Sequence, residues 1–417
     1  MEANPNLGNQ QRVPLCIIES LRAGIASKSV SKYFSQSRED TLARVEDDLT
    51  QMAEDGVPQG LVISASYGQG KTHLLNQISE LAHTQNYAVS SLVVSKESQV
   101  HNLKRFYHKV ASSIMLPGET ESGLERRLAK LRPSSDSVQD LLIQADNHLH
   151  PKLNYVLRGY FSSTDPYDQF LLYGDMTGDS LSIVDIREIL QRALGSKPRI
   201  PKMSNDQFGQ YFILLGWLVR LLGHKGLVIL FDEAELLGAL GFVSRMKAYL
   251  HFASLLGLGG PFKMRFCYPV FFFASGFYSD VIVQKREIVN VEKRASGKFE
   301  KADAIAIQSV LDFLLNDREE LDDLSSKEVE NILASIKQLH GLAYGWDAVL
   351  DIRRVLEKTE DAPLRTVIRG AIESLDISLL YQENAPQIAV NALDVAIPGE
   401  DEEIFANDLD TELVETK

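Results

Sequence analysis

Short runs of apolar residues alternate along this chain with stretches in which apolar residues recur every three or four positions. The second pattern is that of amphipathic helices, as over residues 42–52. The apolar runs predict strands, which begin near Val62, Ala88 and Tyr268. The run over residues 226–231 is unbroken, as expected for a central parallel strand that is buried on both faces. The sequence therefore predicts an α/β protein with a parallel sheet.

The first predicted strand leads into a loop of small residues that ends in Gly70, Lys71 and Thr72 and opens a helix. The N–H groups of such a loop and the helix N-terminus bind phosphate. Lys71 is predicted to reach the β- and γ-phosphates of ATP, and Thr72 to bind Mg²⁺. A chance Gly-Lys-Thr is the alternative, which the strand–loop–helix context disfavours. The residues predicted to bind the nucleotide are Ala65, Ser66, Tyr67, Gly68, Gln69, Gly70, Lys71, Thr72 and His73.

Ala65 departs from the usual pattern G-x-x-x-x-G-K-[ST], which has glycine at that position. A small residue is tolerated there if its backbone torsion is ordinary. We therefore interpret the change as minor.

An Asp-Glu pair ends the unbroken apolar run. Ligand chemistry in open α/β sheets takes place at the carboxyl ends of strands. Asp232 is predicted to coordinate Mg²⁺ through water, and Glu233 to orient the attacking water as a base. Such a pair is a weak signal alone, but with a P-loop upstream it predicts an ATP hydrolase. Glu235 is either a further acid behind the site or a surface residue.

Lys71 and Asp232 are 161 positions apart, more than a minimal P-loop core needs. The extra residues contain helical patterns, and the last third of the chain is also helical in pattern. The predicted segments are an N-terminal segment (1–30), the first half of the core (31–116), a helical insertion (117–203), the second half of the core (204–300), a C-terminal helical lid (301–398) and an acidic disordered tail (399–417).

Composition narrows the class of protein. The net charge is −14, which argues against a broadly basic nucleic-acid surface. The basic helix pattern over residues 101–109 is either a local phosphate contact or a solvated face. The two cysteines have no paired spacing of the kind that binds a metal. The first 15 residues predict no signal peptide, and no apolar run is long enough to span a membrane. We predict a cytoplasmic protein without a membrane partner.

The order of these motifs resembles that of bacterial AAA+ ATPases related to origin-recognition proteins, and among them the BrxD-like ATP-binding proteins of BREX (bacteriophage exclusion) systems. The P-loop and the acidic strand are shared by the superfamily. The family resemblance is carried by the N-terminal phrase (residues 17–24) and by the late arginine helix (residues 363–369). Leu364 and the acidic tail are departures from the pattern. The residues concerned are 17–24 (IIESLRAG), 37–39 (SRE), 67–72 (YGQGKT), 230–235 (LFDEAE) and 363–369 (PLRTVIR), the last continuing to Leu375 and Asp376.

The resemblance implies an AAA+ P-loop core with a C-terminal helical lid, which ends there or continues into a winged-helix-like DNA contact. Arg38 would lie beside the adenine, the alternative being a solvent-facing helix turn. The strand after the acidic one would lie between the two motifs and carry a polar sensor, Ser275. Arg365 is the first choice for a sensor arginine that reaches the γ-phosphate. Its rivals are Arg369, Arg353 and Arg354, and a trans-acting arginine finger would be Arg286 or Arg294.

Each of these assignments has a simpler alternative. Ser275 could merely close a buried strand, and each arginine could form a surface salt bridge.

Three functions are consistent with the motifs, the acidic composition and this resemblance. The first is an ATPase that self-associates, works with other defence proteins and engages DNA in phage defence, with ATP and Mg²⁺ as cofactors. The second is a nucleotide-gated switch or scaffold with slow turnover. The third is a TniB-like transposition regulator.

Overall fold

The computed structural model of the protein describes residues 5–34, 38–57, 60–95, 99–204, 206–294, 299–359 and 362–381. The strands are β1 (Leu61–Ala65), β2 (Ala88–Val93), β3 (Ile114–Met115), β4 (Leu227–Asp232), β5 (Cys267–Ala274) and β6 (Glu319–Glu320). The helices are α1 (Pro5–Arg22), α2 (Lys28–Tyr33), α3 (Glu39–Asp55), α4 (Lys71–Thr84), α5 (Leu103–Ser112), α6 (Glu125–Leu128), α7 (Asp136–His148), α8 (Pro151–Ser162), α9 (Pro166–Met176), α10 (Ile183–Leu194), α11 (Gln210–Leu221), α12 (Phe242–Leu255), α13 (Glu287–Arg294), α14 (Lys301–Asn316), α15 (Ser326–Tyr344), α16 (Ile352–Lys358) and α17 (Leu364–Tyr381). Short 3-10 helices span Asp206–Gly209 and Ala234–Ala239, and a π-helix spans Tyr278–Val283.

The predicted α/β class is confirmed, with a six-stranded sheet of order β3-β2-β4-β5-β1-β6. Strands β2, β4 and β5 are parallel neighbours, as predicted. The sheet is nevertheless mixed, because β3 pairs antiparallel to β2, with Val89 opposite Met115. Only Ser113 separates β3 from α5. The chain has no room to turn there, so it continues in the direction of the helix.

The described residues of the chain form two compact units. Unit 1 comprises the described residues within 5–43, 64–80 and 320–381, and unit 2 those within 44–63 and 81–319. Helix α14 is in unit 2 and α15–α17 are in unit 1. The predicted segment boundaries stay predictions, and the predicted tail over 399–417 lies outside the described residues.

Strands β4 and β5 form the centre of unit 2. Every residue of both strands is buried, which requires apolar side chains on both faces of the sheet. Phe231 and Phe271 are opposite each other in the register and stack at 4.4 Å between ring centroids. Phe106 of α5 stacks on Phe231 in turn, at 5.7 Å. The aromatic side of the basic helix α5 is therefore core, and its exposed side carries Lys104 and Arg105.

The predicted insertion does not have a core of its own. Apolar residues of α7, α8 and α10, such as Val138, Leu157 and Ile189, belong to the same hydrophobic cluster as Phe231 and Phe271. This continuity explains why the insertion and the sheet form one compact unit.

The described part of unit 1 has a separate hydrophobic core, to which α1, α2, α15, α16 and α17 contribute. Ile18 of α1 packs with Ile336 of α15 and Ala371 of α17, all essentially inaccessible to solvent. A capping box at Ser325 and Glu328 begins α15, since the serine side chain accepts from the Glu328 N–H and the glutamate returns the bond. The N-terminal helix is therefore held by the last helices of the chain.

A buried ion pair links three helices of unit 2. Lys152 Nζ of α8 donates to Asp175 Oδ2 of α9 at 2.6 Å and to the hydroxyl oxygen of Tyr211 at 3.0 Å. The Tyr211 hydroxyl donates to Asp175 Oδ1 at 2.8 Å, and the Leu181 N–H donates to Oδ2. Burial next to Asp175 raises the pKa of Tyr211, so this hydroxyl stays a donor. The charges are thus fully partnered.

The cysteines are both free. Cys16 is exposed on α1, and Cys267 is buried at the start of β5, where burial raises the pKa of its thiol to about 12. None of the described helices is long and apolar enough to cross a membrane.

His251 is a buried group whose protonation is expected to destabilise the fold. Its Nδ1 donates to the Val100 carbonyl at 2.6 Å, and burial lowers its pKa from 6.5 to about 4. Between these two pH values the unfolded chain holds more protons than the folded chain, so acid favours unfolding. We expect the free energy of unfolding to lose ~3 kcal/mol as the pH falls from 6.5 to 4.

The variant His251→Asn checks this expectation, because asparagine can donate to the same carbonyl but does not titrate. Urea unfolding at pH 7 and pH 4.5 should show a smaller loss of stability for the variant than for the wild type. His148→Asn, which changes an exposed ring, should behave like the wild type. An equal loss in wild type and His251→Asn would contradict the assignment.

Candidate functional site

The loop after β1 contains two glycines with left-handed backbone. Gly68 and Gly70 have φ values of +81° and +92°, which side chains disfavour and glycine adopts readily. The Gly70 carbonyl accepts from the Leu74 N–H at 2.9 Å and so begins α4. Ala65 is the last residue of β1, so its backbone is extended. That is the ordinary torsion which our interpretation of Ala65 assumed.

Lys71 lies inside this loop. Its side chain is buried, with Nζ donating to the Ala65 carbonyl at 3.1 Å. The ammonium also lies 4.7 Å from the centroid of the Tyr67 ring, in cation–π contact. Tyr67 itself is 58% exposed. The Ala65 carbonyl and the face of the Tyr67 ring therefore both help to hold this cation in the loop.

The first turns of α4 are bonded to the N-terminal segment. His73 Nε2 donates to the Phe34 carbonyl at 3.2 Å, because a carbonyl can only accept. Gln77 donates to the same oxygen at 3.4 Å, and Asn76 Nδ2 donates to the Ala26 carbonyl at 2.6 Å. Residues 26–34 are thereby fixed along the helix that follows the P-loop.

Arg38 precedes α3 with a positive φ of +65°. Burial is the main reason that the pKa of His73 is lowered, and the positive charge of Arg38 lowers it further. Arg38 is therefore near the first turn of α4. The AAA+ resemblance implies that it lies beside the adenine of the nucleotide. Ser37 lies outside the described residues.

Arg365 is beside the P-loop in unit 1. A Cβ atom added to Gly68 would lie 2.9 Å from Cβ of Pro363 and 3.8 Å from Cβ of Arg365. The start of α17 therefore packs on the turn of the loop. Arg365 and its three rivals, Arg369, Arg353 and Arg354, are all exposed, so exposure does not distinguish them.

The acidic end of β4 contains backbone strain. Asp232 is only 8% exposed and continues the ladder opposite Val93. Glu233 has φ +54° and ψ +37°, a left-handed conformation that costs a non-glycine residue about 1–2 kcal/mol. Its N–H donates to Asp232 Oδ1 at 3.0 Å. Such strain persists where the surrounding structure enforces it and is concentrated at functional sites.

Glu235 connects this acidic turn to the end of the next strand. Its Oε2 accepts from the Ala274 N–H, the last residue of β5, at 3.0 Å. Ser275 follows directly and is exposed. Glu235 is therefore bonded to the backbone beside the sensor candidate.

The two candidate arginine fingers differ in what the structure describes. Arg286 is exposed with a φ of +51°, next to Glu287, which is buried in an ion pair with Arg245. The side chain of Arg294 lies outside the described part of the chain.

One contact was not anticipated from the sequence. Gly24, at the turn after α1, lies against the side chain of Arg365. Both residues belong to the phrases that carry the family resemblance, but nothing in their spacing predicts that they meet.

The structure contains a glycine-bearing loop between a buried strand and a helix, and an Asp-Glu pair at the end of another strand. This arrangement is compatible with a P-loop core. Residues 10–130 match the sequence model of the family described as BREX system ATP-binding protein BrxC/D. The matched segment contains the N-terminal phrase and the P-loop, and it confirms the resemblance to BrxD-like ATP-binding proteins. No curated protein and no solved structure matches the chain.

Proposed function

We propose that this chain binds ATP with Mg²⁺ and hydrolyses it as an AAA+ ATPase of a BREX phage-defence system. The observation that carries the proposal is the P-loop itself. Its glycines at positive φ open the backbone, Lys71 lies within the loop, and the loop falls in the segment matched to a family of ATP-binding proteins.

Lys71 exchanges partners when ATP binds. A triphosphate is a better partner for an ammonium than one carbonyl oxygen, because the bond is then between opposite charges. The β- and γ-phosphates replace the Ala65 carbonyl, and the N–H groups of the loop and of the α4 N-terminus bind the remaining oxygens.

Thr72, through its hydroxyl, and Asp232, through water, would hold Mg²⁺. Both supply the oxygen ligands that this ion prefers. Glu233 orients the attacking water and takes its proton. The strand order supports these roles, because β5 lies between β4 and β1, as the AAA+ resemblance implies.

The remaining roles follow the same resemblance. Ser275, exposed at the end of β5, contacts the γ-phosphate or the attacking water. Arg365 reaches the γ-phosphate from α17, and Arg38 lies beside the adenine. The packing of Pro363 and Arg365 on Gly68 favours Arg365 over its rivals.

In the cell, the protein works with other BREX proteins, self-associates and engages DNA. The family match favours this defence role over a transposition regulator. Hydrolysis would drive assembly or DNA engagement.

ATP binding and hydrolysis by the purified protein test this proposal, with and without double-stranded DNA. Lys71→Ala is expected to abolish binding, because the phosphates lose their cation. Lys32→Ala, which removes an exposed lysine of the same unit, should leave binding intact. Turnover that DNA stimulates supports the full proposal, whereas binding without turnover favours the nucleotide-gated switch. Equal ATP binding by wild type and Lys71→Ala would contradict the site.

A further inference from the structure

The side chain of Arg365 lies between two glycines with left-handed backbones. Gly68 of the P-loop is beside its Cβ, and Gly24 of the turn after α1 is beside its far end. A Cβ atom on Gly24 would lie 3.4 Å from Arg365 Cδ and 3.8 Å from its Nε. Gly24 has a φ of +72°, so a side chain there would be strained. The turn after α1 therefore borders the guanidinium end of Arg365.

An ion pair fixes this turn to the helix that carries Arg365. Arg22, two residues before Gly24, donates from Nη2 to Asp376 Oδ1 at 2.8 Å and from Nε to Oδ2 at 3.1 Å. These two bonds restrain both the position and the orientation of the Arg22 guanidinium relative to the Asp376 carboxylate. Arg22 also donates to the Tyr344 hydroxyl at 3.1 Å and pairs with Glu19.

Asp376 is itself held from the other side. The Trp346 indole N–H donates to His340 Nδ1 at 2.9 Å, so the proton of the neutral imidazole is on Nε2. Nε2 then donates to Asp376 Oδ1 at 3.0 Å. Since His340 is fully buried, this chain of bonds fixes the carboxylate that receives Arg22.

Helix α17 carries both Arg365 and Asp376. Arg365 and Asp376 are eleven residues apart on α17, close to three full turns, so they share one face of the helix. The segment 22–24 contacts this face at both positions. Asn76 of α4 donates to the carbonyl of Ala26, two residues after Gly24, and so bonds this segment to the helix that follows the P-loop.

We infer that Arg22 and Gly24 are positioning residues that set the direction of the Arg365 side chain at the P-loop. The inference rests on the proposed role of Arg365 at the γ-phosphate. The end of α1 and the turn after it link α17 to α4, through the bonds of Arg22 to Asp376 and of Asn76 to Ala26. When these contacts are intact, they hold Arg365 in one orientation before ATP binds. Such fixed geometry contributes to the rate of hydrolysis. Neither residue touches the nucleotide.

Steady-state ATP hydrolysis by the full chain tests this inference through a double-mutant cycle. Arg22→Ala should lower kcat about 10- to 100-fold with little change in KM, because Lys71 and the loop still bind ATP. In an Arg365→Ala background, the same substitution should cause no further loss, because the residue it positions is absent. Arg22→Lys, which keeps the charge opposite Asp376, should recover part of the rate. Arg12→Ala, which removes an exposed arginine of α1, is the matched control.

Gly24→Ala provides a second route if Arg22→Ala does not fold. It leaves the ion pair intact and perturbs only the turn beside Arg365, so it should show the same dependence on Arg365. Losses that multiply in the double variants, with Arg365→Ala itself impaired, would overturn the positioning role and leave the proposed function standing. Wild-type hydrolysis by Arg365→Ala would instead overturn the role of Arg365, and the inference with it.

Discussion

Glu233→Gln is expected to bind ATP as well as the wild type and to hydrolyse it about 10²- to 10⁴-fold more slowly, the usual contribution of a general base. The substitution keeps the size of the side chain and removes the group that takes the proton from water. Fluorescent-nucleotide binding and phosphate release, measured on the same protein, separate the two effects. Glu188→Gln, an exposed acid of unit 2, is the matched control. Normal turnover in Glu233→Gln would show that another group is the base.

The same position should show a trade-off between stability and activity. Glu233 occupies a left-handed conformation, and glycine adopts it without the steric cost. Glu233→Gly is therefore expected to be inactive and about 1–2 kcal/mol more stable to urea than Glu233→Gln. An unchanged or lower stability of the glycine variant would mean that the backbone conformation at 233 is not strained.

Asp175→Ala is expected to lower the free energy of unfolding by about 3–5 kcal/mol, because it leaves the ammonium of Lys152 buried without an opposite charge. The side chains of this pair are 10% and 0% exposed, so water cannot replace the lost carboxylate. Urea unfolding measures the loss. The pair Arg126–Glu121, with side chains 72% and 61% exposed, is the matched control. Glu121→Ala should cost at most about 1 kcal/mol.

The double variant Lys152→Met/Asp175→Leu separates the unpaired charge from other effects. It removes both charges and keeps apolar volume, so it should recover most of the stability that Asp175→Ala loses. A double variant as unstable as Asp175→Ala would show that the cost comes from packing around α8 and α9 rather than from the unpaired charge.

The sequence by itself determined the features that depend on neighbouring residues. A P-loop requires small residues and two glycines at fixed spacing, and a strand buried on both faces requires an unbroken apolar run. These constraints are local, so β1, β4, β5 and the loop at Gly68 and Gly70 could be predicted. The class of fold and the family resemblance followed from their order.

Only the tertiary structure decided which distant segments meet. The antiparallel edge strand β3 follows from the short link to α5, and the apolar faces of the insertion pack into the same hydrophobic core as the sheet. The contact of Arg365 with Gly24 and Gly68, and the bonds of Asp376 to Arg22, join segments hundreds of residues apart, and His340 joins the same carboxylate from another helix. No periodicity encodes such contacts, because they depend on how whole helices pack.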